Sequence, residues 1–569
     1  MKYFRKIFCA SAIIAALASA QPSRAAEPTD ALTARGGAGS VYMTARLSNL
    51  NAVMKAVFTR QNVDAFMAAF ANDAPEGVEM IASIASQIPA ESVGVSAGMD
   101  PEGFFFQLAA ALPAEYAESV AAIASGAAKP QDMASVLLGP MGALLGEMLE
   151  PQLRQGDGGS PYYEIFGGKL VAAAKDGLVL LAASPKDLAA SLASLGGAAP
   201  RLAVERRFGS GDYIFSHTDM PAYGGDAAAQ YKAPLEAELD FERKPGSFLV
   251  SGWVNLPESL AAAQNLPAME AKKGADAFLA GGGNALLVLA GPMILNSAYI
   301  RSIPSAVKGW EEAVAALGGI GISEADFDAL CSGMMSIAAG NSATLAGPQN
   351  IPGAYVALRG KDGAAAKIMG ALAGNEDLKA HLPLEPVSAE GWDMLCSLPA
   401  LPATVLAGVK GETLFLGLAD AQTINEAPAL SAKARGVLEE NYPAGGFIDT
   451  EALWNRLRNE AANPGPLAAA YMEAYPEAAE AVRNVLGAEL AVNFIKITSE
   501  SWEKGAIEFF LADVPPEKAL TPRVLNAISV FSAKKTEEEG TPAEPGGAAS
   551  GDGAQVQTIE TTAVEGSGE

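Results

Sequence analysis

The sequence predicts an α+β protein: two tandem similar domains, each a mainly antiparallel sheet of β-hairpins with helices on one face. Three observations predict it. The stretch "LVAAAKDGLVLLAASPKDLAASL", Leu170 to Leu192, reads as strand, turn, strand, helix. A looser copy, "VLAGVKGETLFLGLADAQTINEA", follows at Val405 to Ala427, 235 residues later. Finally, "LEAELDFE" from Leu235 alternates strictly between apolar and acidic residues, the pattern of an antiparallel strand with one face dry and one face wet.

Within the first copy, Lys175-Asp176-Gly177 separates two apolar runs, and Asp-Gly supplies the positive φ angles of a tight hairpin. Ser184, Pro185 and Asp187 then provide an N-cap, a proline in the first turn and an acid, so a helix is expected from Pro185 to about Leu195. In the second copy Lys410-Gly411-Glu412 is the turn, and Asp420 is expected to cap the helix. Alternation in "LEAELDFE" places Leu235, Ala237, Leu239 and Phe241 on the dry face and Glu236, Glu238, Asp240 and Glu242 on the wet one.

Further matches keep the same order along the chain. "VYMTARLSNLNAVMKAVF" from Val41 lines up with "LLVLAGPMILNSAYIRSI" from Leu286, an offset of 245. "SAGMDPEGFFFQL" from Ser96 lines up with "LAGPQNIPGAYVAL" from Leu345 at 249. The segments from Leu235 and Leu490 are both hairpins followed by a Pro-Glu helix start. Conserved order across four pairs indicates tandem duplication. The expected organisation is a leader over 1–25, repeat domains over 36–270 and 275–521, and a disordered acidic tail over 534–569, where large apolar side chains are nearly absent.

The leader is expected to be a secretory signal peptide. Lys2, Arg5 and Lys6 precede the apolar run "IFCASAIIAALASA", and small residues offer cleavage after Ala20 or Ala25. Removing 1–25 takes four basic residues and no acid, deepening the net charge from −26 to −30. Such acidity argues against nucleic acid, whose phosphates need a basic surface. A second uncharged stretch, Ala277 to Ile300, contains Gly281, Gly282, Gly283, Gly291 and Pro292; these break a membrane helix and leave "NALLVLAG" as one buried strand.

Few residues invite chemistry. His217 lies in "SHTD", Ser216 to Asp219, but neighbours on a strand point to opposite faces and do not converge on one atom. His381 has no partner motif. "GISEAD" reads as a turn and a helix capped by Ser323 and Asp326; its carboxylates Glu324, Asp326 and Asp328 match no calcium-loop spacing. No catalytic, cofactor or metal residue is assigned. Cys331 and Cys396 are the two cysteines left after processing, and either a disulfide or two buried thiols fits them. "MASVLLGPMGALLGEML", Met133 to Leu149, reads as core or as a Met-rich apolar surface, with a helix break at Pro140. "FFF", Phe104 to Phe106, puts aromatics on both faces of a strand.

Glycine-punctuated hairpins, "SPKDL"-type helix starts and "GISEADFDAL" together resemble repeat-built exported bacterial proteins. The resemblance implies an extracytoplasmic α+β protein, periplasmic or secreted, and assigns no residue a role. The expected function is a non-enzymatic interaction or binding scaffold of the envelope or extracellular space, its partner a protein or an apolar small molecule. Two alternatives stand beside it: a carrier or sensor of an apolar ligand held between sheet and helices, and a hydrolase using carboxylates such as Asp219 or Asp449.

Overall fold

A computed structural model describes residues 27–33, 40–48, 89–139, 149–156, 159–198, 207–208, 211–219, 234–255, 269, 272–273, 277–293, 295–301, 304–340, 353–381, 383–398, 405–464 and 466–514. The leader, the helix starts after Asn255 and Val514, Pro140, and the acidic tail lie outside them.

The front half contributes β1 (Val41–Ser48), β2 (Ser92–Asp100), β3 (Gly103–Ala111), β4 (Gln152–Gln155), β5 (Pro161–Ile165), β6 (Leu170–Lys175), β7 (Leu178–Ala182), β8 (Asp212–Thr218), β9 (Leu235–Lys244) and β10 (Ser247–Val254). The short strand β11 (Lys272–Lys273) follows. The rear half contributes β12 (Ala285–Pro292), β13 (Met334–Gly340), β14 (Gly353–Arg359), β15 (Glu385–Pro386), β16 (Met394–Leu398), β17 (Val405–Lys410), β18 (Thr413–Leu418), β19 (Asn441–Tyr442), β20 (Ala444–Ile448), β21 (Val492–Ser499) and β22 (Lys504–Leu511). Apart from the β11–β19 ribbon, these form one 20-stranded sheet in which every described pairing is antiparallel. Ala277 to Ile300, the second membrane-like stretch, is strand β12 with its flanking turns and the start of a short helix. Among the described residues no helix is long and apolar enough to cross a membrane.

Hydrogen bonding orders the front strands β4-β5-β6-β7-β3-β2-β1-β8-β9-β10. Rear strands follow the succession β15-β16-β17-β18-β14-β13-β12-β20-β21-β22. The two orders correspond position for position. They meet where β10 pairs with β22, Ser247 opposite Phe510, Val250 opposite Ile507 and Trp253 opposite Lys504.

Local chemistry explains the front hairpin. Asp176 and Gly177 take φ of 53° and 80°, as a type I′ turn requires. Helix α1 (Ala117–Ser125) and α2 (Pro130–Leu138) fall between β3 and β4, and α3 (Pro185–Leu195) follows β7 with the Ser184 hydroxyl accepting from the Asp187 N–H. In the rear half α4 (Glu324–Cys331) carries the Ser323–Asp326 capping box, and α5 (Ala364–Gly374) follows β14. The second copy departs from expectation after β18. Asp420 turns its carboxylate onto the N–H of Gln422 at 2.9 Å, a local bond that competes with helix formation, and α6 (Ala432–Glu439) starts at Ser431 instead.

Helices cover both faces of the outer hairpins, correcting the expectation of one covered face. Call face A the side of β6 carrying Val171 and Ala173, which with Leu178 and Leu180 of β7 pack against Leu188 of α3. Ala172, Ala174 and Val179 point to face B, against Val120 and Ile123 of α1 and Met133 and Val136 of α2. A shift of 235 residues turns Ala172, Ala174 and Val179 into Ala407, Val409 and Leu414, which pack with Leu330 of α4 and Ile368 of α5. The same shift turns Val171 and Leu180 into Leu406 and Phe415, which pack with Ala434 and Val437 of α6. Burial on both sides explains why these strands read as continuous apolar runs rather than alternating ones.

Candidate functional site

Between the helix-covered ends, the central strands reverse the expected burial. On β9 the acids Glu238 and Asp240 are 1 % and 6 % exposed, whereas Leu239 is 44 % exposed. Alternation fixes which side chains share a face, but not which face the rest of the chain covers.

Cross-strand register assembles the acidic row on face A. Tyr42 stands opposite His217, and His217 opposite Glu236. The His217 Nδ1 lies 2.9 Å from Glu236 Oε1, and the His217 ring stacks on Tyr42 at 4.9 Å between centroids. The backbone N–H of Arg207 donates to Glu238 Oε2 at 2.8 Å, while its guanidinium sits 4.6 Å over the Trp253 ring. These contacts offset the desolvation of the buried carboxylates. Farther along the same face Gln107, fully buried, binds Thr33 and the Asp187 carbonyl, while the buried hydroxyl of Ser96 finds no partner among the described residues.

Face B of these strands is apolar. Phe104 (66 %), Met99 (53 %), Met43 (48 %), Leu239 (44 %), Ile507 (38 %), Ile337 (37 %) and Leu416 (53 %) are its exposed side chains. Phe104 is directly opposite Met99, Leu239 is opposite Gly252, and Ile507 is opposite both Val250 and Ile497. From Ile497 the rung continues through Gly446, Leu289, Ile337 and Val356 to Leu416. Exposed apolar side chains of face B therefore run in a band from β3 to β18 across the β10–β22 seam, with Ser216 and Thr218 of β8 polar members of the same face. Thirteen strands, twelve intervals of ~4.8 Å, give the band a span of roughly 58 Å, and Gly252 and Gly505, paired across the seam, lower its floor beside Leu239.

The residues singled out from sequence are dispersed. His217 belongs to the acidic row, with Ser216 on the opposite face, and His381 ends a short helix far along the chain. Asp219 and Asp449 each follow a strand, their N–H groups bonding Ser40 and Leu286 carbonyls. By ladder register, however, the counterpart of Asp449 is His217, since Tyr42 and Leu286 are equivalent along β1 and β12. Asp449 Oδ1 accepts from the Ala452 N–H and caps helix α7 (Thr450–Ala462). Glu324, Asp326 and Asp328 turn to separate partners, Arg301, Lys367 and Ser297. Two hydrogen bonds from Lys367 and those from Ser323 hold Asp326 down at about 2. Among the described residues no group of three ligand-type side chains is arranged to hold a metal ion.

Cys331 and Cys396 are free, buried thiols, and burial pushes Cys331 up to about 12. Met133, Val136 and Leu149 are core, so the described part of the Met-rich stretch is not a surface. A cleft lined by Leu279, Ala280, Asn284, Ala338, Gly353 and Tyr355, between the sheet and the segment before β12, encloses about 10 Å³, room for one water. Sequence reasoning missed the Arg207–Trp253 contact and the apolar band. Alternation set Leu239 apart from Glu238 and Asp240 but on the face expected to be dry, and only the register joins it to the rest of the band.

No family profile matches the chain, and no curated protein does. Among solved structures, crystal form IV of TP0453 is similar over 40 % of this chain and 81 % of its own, at 12 % identity and a TM-score of 0.22. Crystal form III gives 42 % and 82 %, at 11 % identity and a TM-score of 0.21.

Proposed function

We propose that this protein is an exported, non-enzymatic binding scaffold, built by tandem duplication, whose working surface is the apolar band. Export is supported by the basic start, apolar run and small-residue cleavage sites of residues 1–25. Duplication, with repeat domains over 36–270 and 275–521, is supported by the corresponding strand orders and by a seam that joins corresponding strands, β10 to β22. Carried along the ladders, the strand correspondence makes Ser251 the counterpart of Ala506, and these two pair at the seam, as in an isologous interface between two copies of one unit.

The observation that carries the binding role is the exposure of Leu239 beside the burial of Glu238 and Asp240. A contiguous apolar surface of this extent marks an interaction site. The ligand site therefore lies on the open strands, not in the close-packed layer between sheet and helices.

Titration of the purified full chain with the neutral dye Nile red tests this. Saturable binding is expected, weakened about tenfold when Leu239→Lys and Ile507→Lys together set unpaired charges in the contact. Unsaturable binding, or binding equal in the variant, contradicts the proposal.

A further inference from the structure

We infer that the open edge of the sheet at β4 is a strand-docking site, and that its occupant is the β-branched run over residues 556–564 of this chain's own C-terminal segment. The site is separate from the apolar band and does not rest on the binding reading above.

Hydrogen-bond phase decides which groups β4 presents. Gln155 stands opposite Pro161, which has no N–H to give, and the next residue, Gly156, donates to the Ser160 carbonyl at 2.9 Å. Antiparallel pairs alternate between bonded and non-bonded. Gly156, Arg154 and Gln152 therefore turn their N–H and C=O groups toward β5, while Leu153 and Gln155 turn theirs off the edge of the sheet. All four side chains of β4 are exposed.

The corresponding rear edge, β15, is closed. There the Val387 N–H donates to the Leu395 carbonyl at 2.8 Å, so the residue before it, Pro386 opposite Cys396, is the one whose backbone nitrogen faces outward. A proline at that position has no donor to offer a further strand. The front copy keeps both of its outward donors.

The sequence supplies a strand to fit. Residues 515–569 lie outside the described residues. Within the acidic segment 534–569, "VQTIETTAV" from Val556 holds six β-branched residues in nine and no glycine or proline, and it is flanked by Gly551, Gly553, Gly566 and Gly568, the composition of a strand bounded by turn residues. An isolated strand has no main-chain partners in water, and a sheet edge provides them. In an antiparallel register with Glu560 opposite Arg154, Ile559 exchanges backbone bonds with Gln155 and Thr561 with Leu153, while the opposite charges meet on the closer, non-bonded pair. About 40 residues separate Val514 from Val556. At up to ~3.4 Å each they exceed the roughly 48 Å that ten strand intervals set between β22 and β4. A second copy fits less well, because pairing Leu153 with the second copy's Gln155 sets one Arg154 against the other.

Hydrogen exchange of the purified full chain, read by mass spectrometry, tests this. Peptides covering 152–155 and 556–564 are expected to exchange about tenfold more slowly than the same peptides of a chain ending at Ala533 and of a free 554–565 peptide, respectively. Gln155→Pro and, separately, Ile559→Pro each remove one outward-facing or docking donor and spare every β4–β5 bond. Each is expected to abolish the slowing in both peptides, with an unchanged circular dichroism spectrum as the folding check. Exchange of 556–564 at the free-peptide rate overturns the proposal. So does an edge still protected in Ile559→Pro, which would reveal another occupant, or protection that rises with protein concentration, which would reveal pairing between copies.

Discussion

Val250 and Ile507 stand opposite each other at the centre of the β10–β22 seam, the middle of the consecutive antiparallel pairs that run from Ser247–Phe510 to Trp253–Lys504. The seam joins the two halves into one sheet rather than leaving two separate sheets in contact. Directly paired residues of an antiparallel ladder lie ~4.5–5.5 Å apart between Cα atoms, inside the range a disulfide needs. Val250→Cys with Ile507→Cys is therefore expected to form an intrachain bond on mild oxidation, seen as a faster monomer band on a non-reducing gel. Two unreacted thiols in the folded double variant would refute the seam.

Tyr355 ties the strand β14 to the segment entering β12. Its hydroxyl donates to the Phe278 carbonyl at 2.8 Å and accepts from the Ala280 N–H at 2.9 Å, and burial pushes the phenol up to about 12. Tyr355→Phe leaves a buried N–H and C=O unmatched, for an expected loss of about 2 kcal/mol in denaturant unfolding. A loss below a few tenths would show that these groups find other partners.

Close backbone approach explains Gly446. A Cβ there would lie 1.8 Å from the Val288 carbonyl oxygen and 2.9 Å from the Leu289 Cα. Gly446→Ala must separate β20 from β12, and an expected outcome is loss of the native near-ultraviolet spectrum. Gly436→Ala, on α6 with open space around its Cβ, should be neutral or slightly stabilising because alanine favours helix.

Asp326 provides a pH test. Its folded value of about 2 lies below the unfolded value of about 3.9, so the carboxylate contributes stability that is complete above pH ~4 and disappears as pH falls through 2. Asp326→Asn should lower the Tm at pH 7, and the difference from wild type should close between pH 4 and 2. A difference independent of pH over that window would mean that charge at this position is irrelevant.

Much of the fold was legible where chemistry is local. Asp176-Gly177, Ser184 with Asp187, and Ser323 with Asp326 each act within a few residues, and each turn or cap stands where the sequence placed it. Asp420 failed because two local bonds compete for one carboxylate, and the turn onto Gln422 forms in place of the cap. Coverage was not legible. Whether Glu238 or Leu239 faces water depends on chain far from β9, on Arg207 above one face and on helices that stop short of the other. The candidate site is a surface rather than a set of reactive groups, so no motif announced it.

Thiol labelling measures the reversal of faces most directly. In protein without residues 1–25, and so without Cys9, native Cys331 and Cys396 are buried and give a silent background. Leu239→Cys and Ile507→Cys are expected to react with a maleimide in the folded protein within the time a free peptide does. Ser96→Cys, nearly isosteric and 1 % exposed on face A, should stay protected until denaturant is added. Rapid reaction at position 96 with protection at 239 and 507 would contradict the account.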